Sequence, residues 1–173
     1  MPSRFVRRRL RPSRPYLGLT SLVFAILLAA CARILFEPSG REVSGRAFAL
    51  DGDTIRIGEN RIRLKGIDAP ELNQSCMRNG TPILCGEKAR DTLLGMILNR
   101  HVECRVSGRD RYQRLLARCF VDGEDIGARM VSDGFAVAYG DYRILEAKAR
   151  LQGKGIWSTT FDRPQEWRRS HLY

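Results

Sequence analysis

Five residues between Asp51 and Glu71 carry side chains that could act together on a charged ligand. The stretch reads DGDTIRIGENRIRLKGIDAPE. Its acids Asp51, Asp53, Asp68 and Glu71 offer the hard oxygen ligands that a cation such as Ca²⁺ prefers. Arg63 offers a planar fork of donors that suits a phosphate group beside such a cation. Phosphate-ester chemistry is within reach of this set, provided that the backbone gathers it.

Two strand patterns can do the gathering. Thr54–Ile57 and Arg61–Lys65 alternate apolar and polar residues, the period of a half-buried strand. Gly58, Glu59 and Asn60 between them read as a hairpin turn. A hairpin brings its ends together, so Asp53 and Asp68 should meet at the open end. Ile62 and Leu64 face a core, which leaves Arg63 on the other face. Taken singly, Asp-Gly and Ala69-Pro70-Glu71 are also ordinary turn or helix-start sequences. Their combination on the two ends of one hairpin makes the functional reading the stronger one.

Other chemistries find less support. The only histidines, His101 and His171, stand far apart, and the five cysteines form no C-x-x-C pair. A zinc site or a histidine-based catalyst is therefore not expected. The formal net charge is +11. Residues 1–31 hold six arginines and no acid, which leaves +5 for residues 32–173. That remainder favours a polyanionic partner, though an ordinary basic surface explains it equally well.

The N-terminal arginines precede the apolar run Leu17–Ala32. A basic region followed by a short apolar region reads as a secretory signal. Leu28-Ala29-Ala30-Cys31 resembles a bacterial lipobox, with Cys31 as the lipidated residue. Arg33 stops the run short of the ~20 residues of a comfortable membrane span. An uncleaved anchor reaching Phe36 and simple cleavage stay open beside lipidation. In each case the domain is exported, and tethering would place it on the periplasmic face of a membrane.

Four units divide the chain: a signal or anchor segment 1–36, a linker 37–42, a domain 43–160 and a polar, loose tail 161–173. Within the domain, Val43–Leu50 is a first strand and 72–84 an irregular loop. Glu87–Asn99 is a helix with Ala89, Leu93, Ile97 and Leu98 along its buried stripe. Val102–Val106 and Leu115–Val121 are strands. Asp125 caps a second helix that runs to about Ser132 and stops at Gly134. Phe135–Ala138 is extended. Tyr142–Gln152 is a third helix with Ile144, Leu145, Lys148 and Leu151 at helical spacing, and Trp157 closes the core. Strands with three helices define an α+β domain. Cys76 and Cys85 flank one loop, and Cys104 and Cys119 sit on adjacent strands. An exported domain permits both as disulfides.

Three motifs in order carry a family resemblance. DGDT, RLKGIDAPE and DRYQR (Asp110–Arg114), followed by GFAVAY and GIW, are similar to the staphylococcal nuclease family over residues 43–158. The resemblance implies a five-stranded OB-fold barrel with three packed helices. It implies Ca²⁺ as cofactor, held by Asp53, Asp68 and the main-chain oxygen of Ala69. It implies phosphate-binding arginines at Arg63 and Arg114 and a base toward water at Glu71. It places Arg111 and Tyr112 on a terminal phosphate and Tyr139 beside a base, with barrel packing as the other reading of the two tyrosines. Gln113 and Leu115 stand where glycines flank the corresponding arginine in the family's type member. The function implied is a monomeric, Ca²⁺-dependent nuclease acting on single-stranded or locally melted DNA and RNA with little sequence specificity. The alternative is a non-catalytic OB-fold module that binds nucleic acid or another polyanion.

Overall fold

Alternation of apolar and polar residues builds the barrel. The structure, a computed structural model, describes residue 26 and residues 40–171. The expected segment 1–36 and the lipid site Cys31 lie outside the described residues, Ile26 apart. Strands β1 (Glu42–Ala49), β2 (Thr54–Ile57) and β3 (Asn60–Leu64) form an antiparallel meander. After three short strands, β4 (Ile67–Asp68) and the hairpin of β5 (Ser75–Arg78) and β6 (Thr81–Leu84), comes helix α1 (Cys85–Ile97). Strands β7 (His101–Arg109) and β8 (Leu115–Val121) then return, β7 against β1. Parallel pairing of β3 with β8, Ile62 opposite Leu115, closes five strands into the OB barrel. Ile55, Ile57, Ile62, Leu64, Val102, Leu115, Ala117 and Val121 are buried within it.

The remaining elements cover the barrel and its ends. These are β9 (Glu124–Asp125), helix α2 (Ile126–Ser132), β10 (Val137–Ala138), helix α3 (Arg143–Leu151), a 3₁₀ turn (Gly155–Ser158) and helix α4 (Pro164–Ser170). Asp125 caps α2 as expected, its Oδ1 accepting the Ala128 N–H at 3.0 Å. Strand β10 pairs with β4, Val137 opposite Asp68, and so fixes the end of the barrel at which Asp68 sits.

Five expectations are corrected here. The irregular loop 72–84 contains the β5–β6 hairpin. Its turn residues Asn79 and Gly80 have φ of 51° and 79°, as a two-residue Asn-Gly hairpin turn requires. On α1, Ala89, Leu93 and Ile97 are buried, but Leu98 lies just past the helix and is 55% exposed. On α3 the helix turns Glu146 and Ala149 inward, leaving Ile144 and Leu151 exposed; Glu146 pairs with Arg163, which fixes that phase. The tail expected to be loose forms α4. Pro164 occupies its first turn, where a missing N–H costs nothing. Trp157, for its part, joins a small second cluster with Cys76, Cys85, Val137 and Ile156 rather than the barrel core.

Both expected disulfides are present. Cys76–Cys85 ties the β5–β6 hairpin to the start of α1, and Cys104–Cys119 joins directly opposed residues of β7 and β8. Closing a 15-residue loop in this way stabilises the fold by about 3 kcal/mol.

Candidate active site

The β2–β3 hairpin does gather its acids. Thr54 pairs with Arg63, and the Leu64 N–H donates to the Asp53 carbonyl at 2.8 Å, so the strand ends stay together. Ile62 and Leu64 point into the core while Arg63 rises half-buried from the other face. Its guanidinium bridges the two aspartates: Nη1 donates to Asp53 Oδ1 at 2.6 Å and Nη2 to Asp68 Oδ1 at 2.7 Å. Both carboxylates are almost fully buried, 3% and 2% exposed. The Ala69 N–H donates to Asp53 Oδ2 at 3.1 Å, which sets the main chain of Ala69 against that carboxylate.

Burial is the largest influence on Asp53 and pushes its carboxyl up to about 7; Arg63 opposes this, and Asp51 adds to it. For a carboxyl raised on folding, stability is complete below the unfolded value and lost as pH rises through the folded one. In chelator, the protein is therefore expected to lose thermal stability between pH 4 and pH 7, measured by melting. Asp53→Asn should flatten that slope. A slope unchanged in the variant would assign it to other groups.

Arg114 reaches the same point from the opposite strand. The β7–β8 loop turns at Gln113, whose φ is 62°. This is a left-handed conformation in which glycine carries no Cβ penalty and glutamine does. Asp110 braces the turn by accepting from the N–H groups of Tyr112 and Arg114, at 2.8 and 2.9 Å, and from Arg114 Nε at 2.6 Å. Burial raises the Asp110 carboxyl, but these bonds outweigh it and hold the group below its ordinary range. Arg114 Nη1 then lies 3.4 Å from Thr54 Oγ1, which itself donates to Asp53 Oδ1 at 3.1 Å. The non-glycine neighbours thus leave Arg114 at the site. Leu115 is buried in the barrel opposite Ile62.

Glu71 follows β4 and is half-exposed. Gly86 permits close approach of α1 to it: a Cβ at residue 86 would fall 1.7 Å from the Glu71 carbonyl oxygen. The buried side chain of Gln74 accepts the Glu71 N–H at 3.2 Å and donates to the Asp162 carbonyl at 2.7 Å. It therefore couples this corner to the C-terminal segment.

The residue that sequence reasoning missed is Arg168 of α4. Its Nη1 donates to Asp68 Oδ1 at 3.0 Å and to Glu71 Oε1 at 2.8 Å, and its Nη2 to Asp68 Oδ2 at 3.0 Å. An unbroken series of contacts now runs Arg114, Thr54, Asp53, Arg63, Asp68, Arg168, Glu71. The tyrosines lie at the surface instead of packing in the barrel: Tyr112 and Tyr139 are each 64% exposed. The Arg111 and Arg114 guanidinium carbons lie 4.7 and 5.4 Å from the Tyr112 ring centre. No distance ties Tyr139 to the cluster; its N–H donates to the Gly66 carbonyl, two residues before Asp68.

Whether this set suits a cation turns on its donors. Asp53 and Asp68 present carboxylate oxygens to one guanidinium, and burial leaves Asp53 short of positive charge. Among the described residues no three His, Cys, Asp or Glu side chains surround one metal position. An oxygen-ligated cation would thus draw on two carboxylates, main-chain oxygen and water, a set within the range of hard divalent ions. The donors fit. None of Asp53, Arg63, Asp68, Glu71 or Arg114 lines the cavity of about 330 Å³ beside α1 and α2.

Comparison with known proteins agrees with the fold and the motifs. The family model described as staphylococcal nuclease homologue matches residues 61–159. The succinoglycan biosynthesis protein ExoI of Rhizobium meliloti (strain 1021) is 33% identical over 139 residues, covering 76% of this chain and 73% of that one. An uncharacterized endonuclease of Haemophilus influenzae is 33% identical over 164 residues, 87% of this chain and 84% of its own. Protein ParB of Escherichia coli is 33% identical over 172 residues, with 84% and 92% covered. The chain belongs to the staphylococcal nuclease homologue family.

Proposed function

We propose that this chain is an exported, membrane-tethered, Ca²⁺-dependent phosphodiesterase that cleaves DNA and RNA with little sequence specificity. The observation that carries the catalytic part is the series of contacts joining Arg114, Asp53, Arg63, Asp68 and Glu71 at one end of the barrel. The Haemophilus relative is itself named an uncharacterized endonuclease, which supports the same reading. Export and tethering rest on the basic and apolar N-terminal sequence alone.

Each residue has a role set by its chemistry. Asp53, Asp68 and the Ala69 carbonyl would hold the cation. When bound, it adds positive charge beside the phosphoryl oxygens. Arg63 and Arg114 bind the non-bridging oxygens, whose charge grows as water adds to phosphorus. Glu71 takes the proton of that water as the new P–O bond forms and the bond to the leaving sugar oxygen breaks. Arg111 and Tyr112 bind the chain beyond the scissile phosphate, and Tyr139 offers a stacking face that any base can use.

The test is cleavage of plasmid DNA and of an unstructured RNA by the purified full chain in detergent, with Ca²⁺ or with a chelator. Cleavage of both substrates in Ca²⁺ alone is expected. Binding of either nucleic acid without cleavage under both conditions would replace this reading with the non-catalytic OB-fold module.

A further inference from the structure

Arg168 joins two carboxylates of the candidate site. Both oxygens of Asp68 are engaged: Oδ1 by Arg63 at 2.7 Å and Arg168 at 3.0 Å, Oδ2 by Arg168 at 3.0 Å. The same guanidinium holds Glu71 at 2.8 Å. Arg168 is thus bonded to the aspartate assigned to the cation and to the carboxylate assigned to water. Asp53, Asp68 and Glu71 face two positive groups, Arg63 and Arg168. A divalent cation at Asp68 would need an oxygen that Arg168 uses and would repel the guanidinium at contact distance.

Arg63 and Arg168 differ in how they are held. Arg63 belongs to a central strand of the barrel. Arg168 sits on a seven-residue helix, and its side chain is 35% exposed. The fastenings of the C-terminal segment lie before it. Met77 and Thr160 exchange two main-chain bonds, Gln74 binds the Asp162 carbonyl, Arg163 pairs with Glu146, and Pro164 is buried. Beyond Pro164, only Trp167 and Arg168 of the helix are even half-buried. The segment is pinned up to residue 164, while beyond it α4 is held by the Arg168 contacts and the half-buried Trp167.

We propose that Arg168 is a positioning residue of the active site: it holds Asp68 and Glu71 in place as an internal counter-charge and is displaced when a divalent cation binds. The inference rests on the reading of Asp53 and Asp68 as cation ligands. Cation binding and docking of Arg168 are then mutually exclusive, and Arg168 sets the cation affinity.

The test uses the full chain in detergent. Calorimetric titration with Ca²⁺ should show ~10-fold or tighter binding by Arg168→Ala, because the competent state is no longer held down by a competitor. Arg168→Lys should lie between the two, since an ammonium cannot span both oxygens of Asp68. Trypsin cleavage after Arg169 reports docking without activity. It should be slow for the wild type in chelator, faster with Ca²⁺, and fast for Arg168→Ala under both conditions. Equal or weaker Ca²⁺ binding by Arg168→Ala would overturn the competition and leave the cation reading intact. Absence of Ca²⁺ binding from all three proteins would remove the cation reading and this inference with it.

Discussion

Glu71→Gln should remain folded and cleave its substrate about 10²–10⁴-fold more slowly, the usual contribution of a positioned base. The substitution keeps the shape of the side chain. The Glu71 N–H stays bound to Gln74, and α1 still approaches closely at Gly86. An amide oxygen can accept from Arg168 as the carboxylate does, so this corner loses a charge and keeps its contacts. The lost ion pair is about one-third exposed on both sides and contributes at most about 1 kcal/mol, so melting should hardly move. Oligonucleotide binding, measured by fluorescence anisotropy, should also persist. The fall should therefore lie in kcat, with KM little changed. Near-normal turnover by a folded Glu71→Gln protein would remove Glu71 from the chemistry.

Much of this site was readable because its residues are local in sequence. Asp53, Arg63, Asp68 and Glu71 lie within one hairpin and its flank, and the hairpin period alone decides which side chains share a face. Arg114 came from a motif, and the partner that aims it, Asp110, lies within the same turn. Arg168 had no such signal. It lies 97 residues beyond Glu71 and 100 beyond Asp68, on a segment whose basic, polar composition resembles a solvated tail. Pro164 and Glu166 do mark a helix start. Nothing in that pattern says which surface the helix meets. Gln74 escaped notice for a related reason: a buried glutamine is identified by its partners, here Glu71 and Asp162, and only folding supplies them.

The fold shows the same division between local and distant information. β2, β8 and α2 follow from alternation and from the Asp125 cap. The β5–β6 hairpin was missed although Asn79-Gly80 is a turn signal, because its strands carry too few inward apolar residues for a period to stand out. α3 defeated periodicity because an ion pair between the buried Glu146 and the partly exposed Arg163 set its phase. Hydrophobic spacing would have turned Ile144 and Leu151 inward instead. The exposure of Tyr112 and Tyr139 likewise follows from the placement of the β7–β8 loop and β10, which aromatic identity does not encode.

Arg63→Ala should damage both activity and stability, unlike Arg114→Ala. Either guanidinium is aimed at charge that grows on the phosphoryl oxygens, and loss of one such donor costs ~10²–10³ in rate. The difference lies in what remains behind. Asp110 keeps the two backbone N–H bonds of its own turn when Arg114 is truncated, so little stability is lost. Asp53 and Asp68 are almost fully buried and share Arg63. Asp68 keeps Arg168, so Asp53 is the buried charge that loses its partner, a loss that costs about 3–5 kcal/mol. Protonation of Asp53, already raised by burial, should bring the loss toward the lower end. Arg63→Lys should recover only part of it, because a point charge cannot bridge two carboxylates as the fork does. If those oxygens also take a cation, added Ca²⁺ should raise the melting temperature of Arg63→Ala more than that of wild type. Wild-type melting and wild-type turnover in Arg63→Ala would show that the bridge neither supports the site nor serves the reaction.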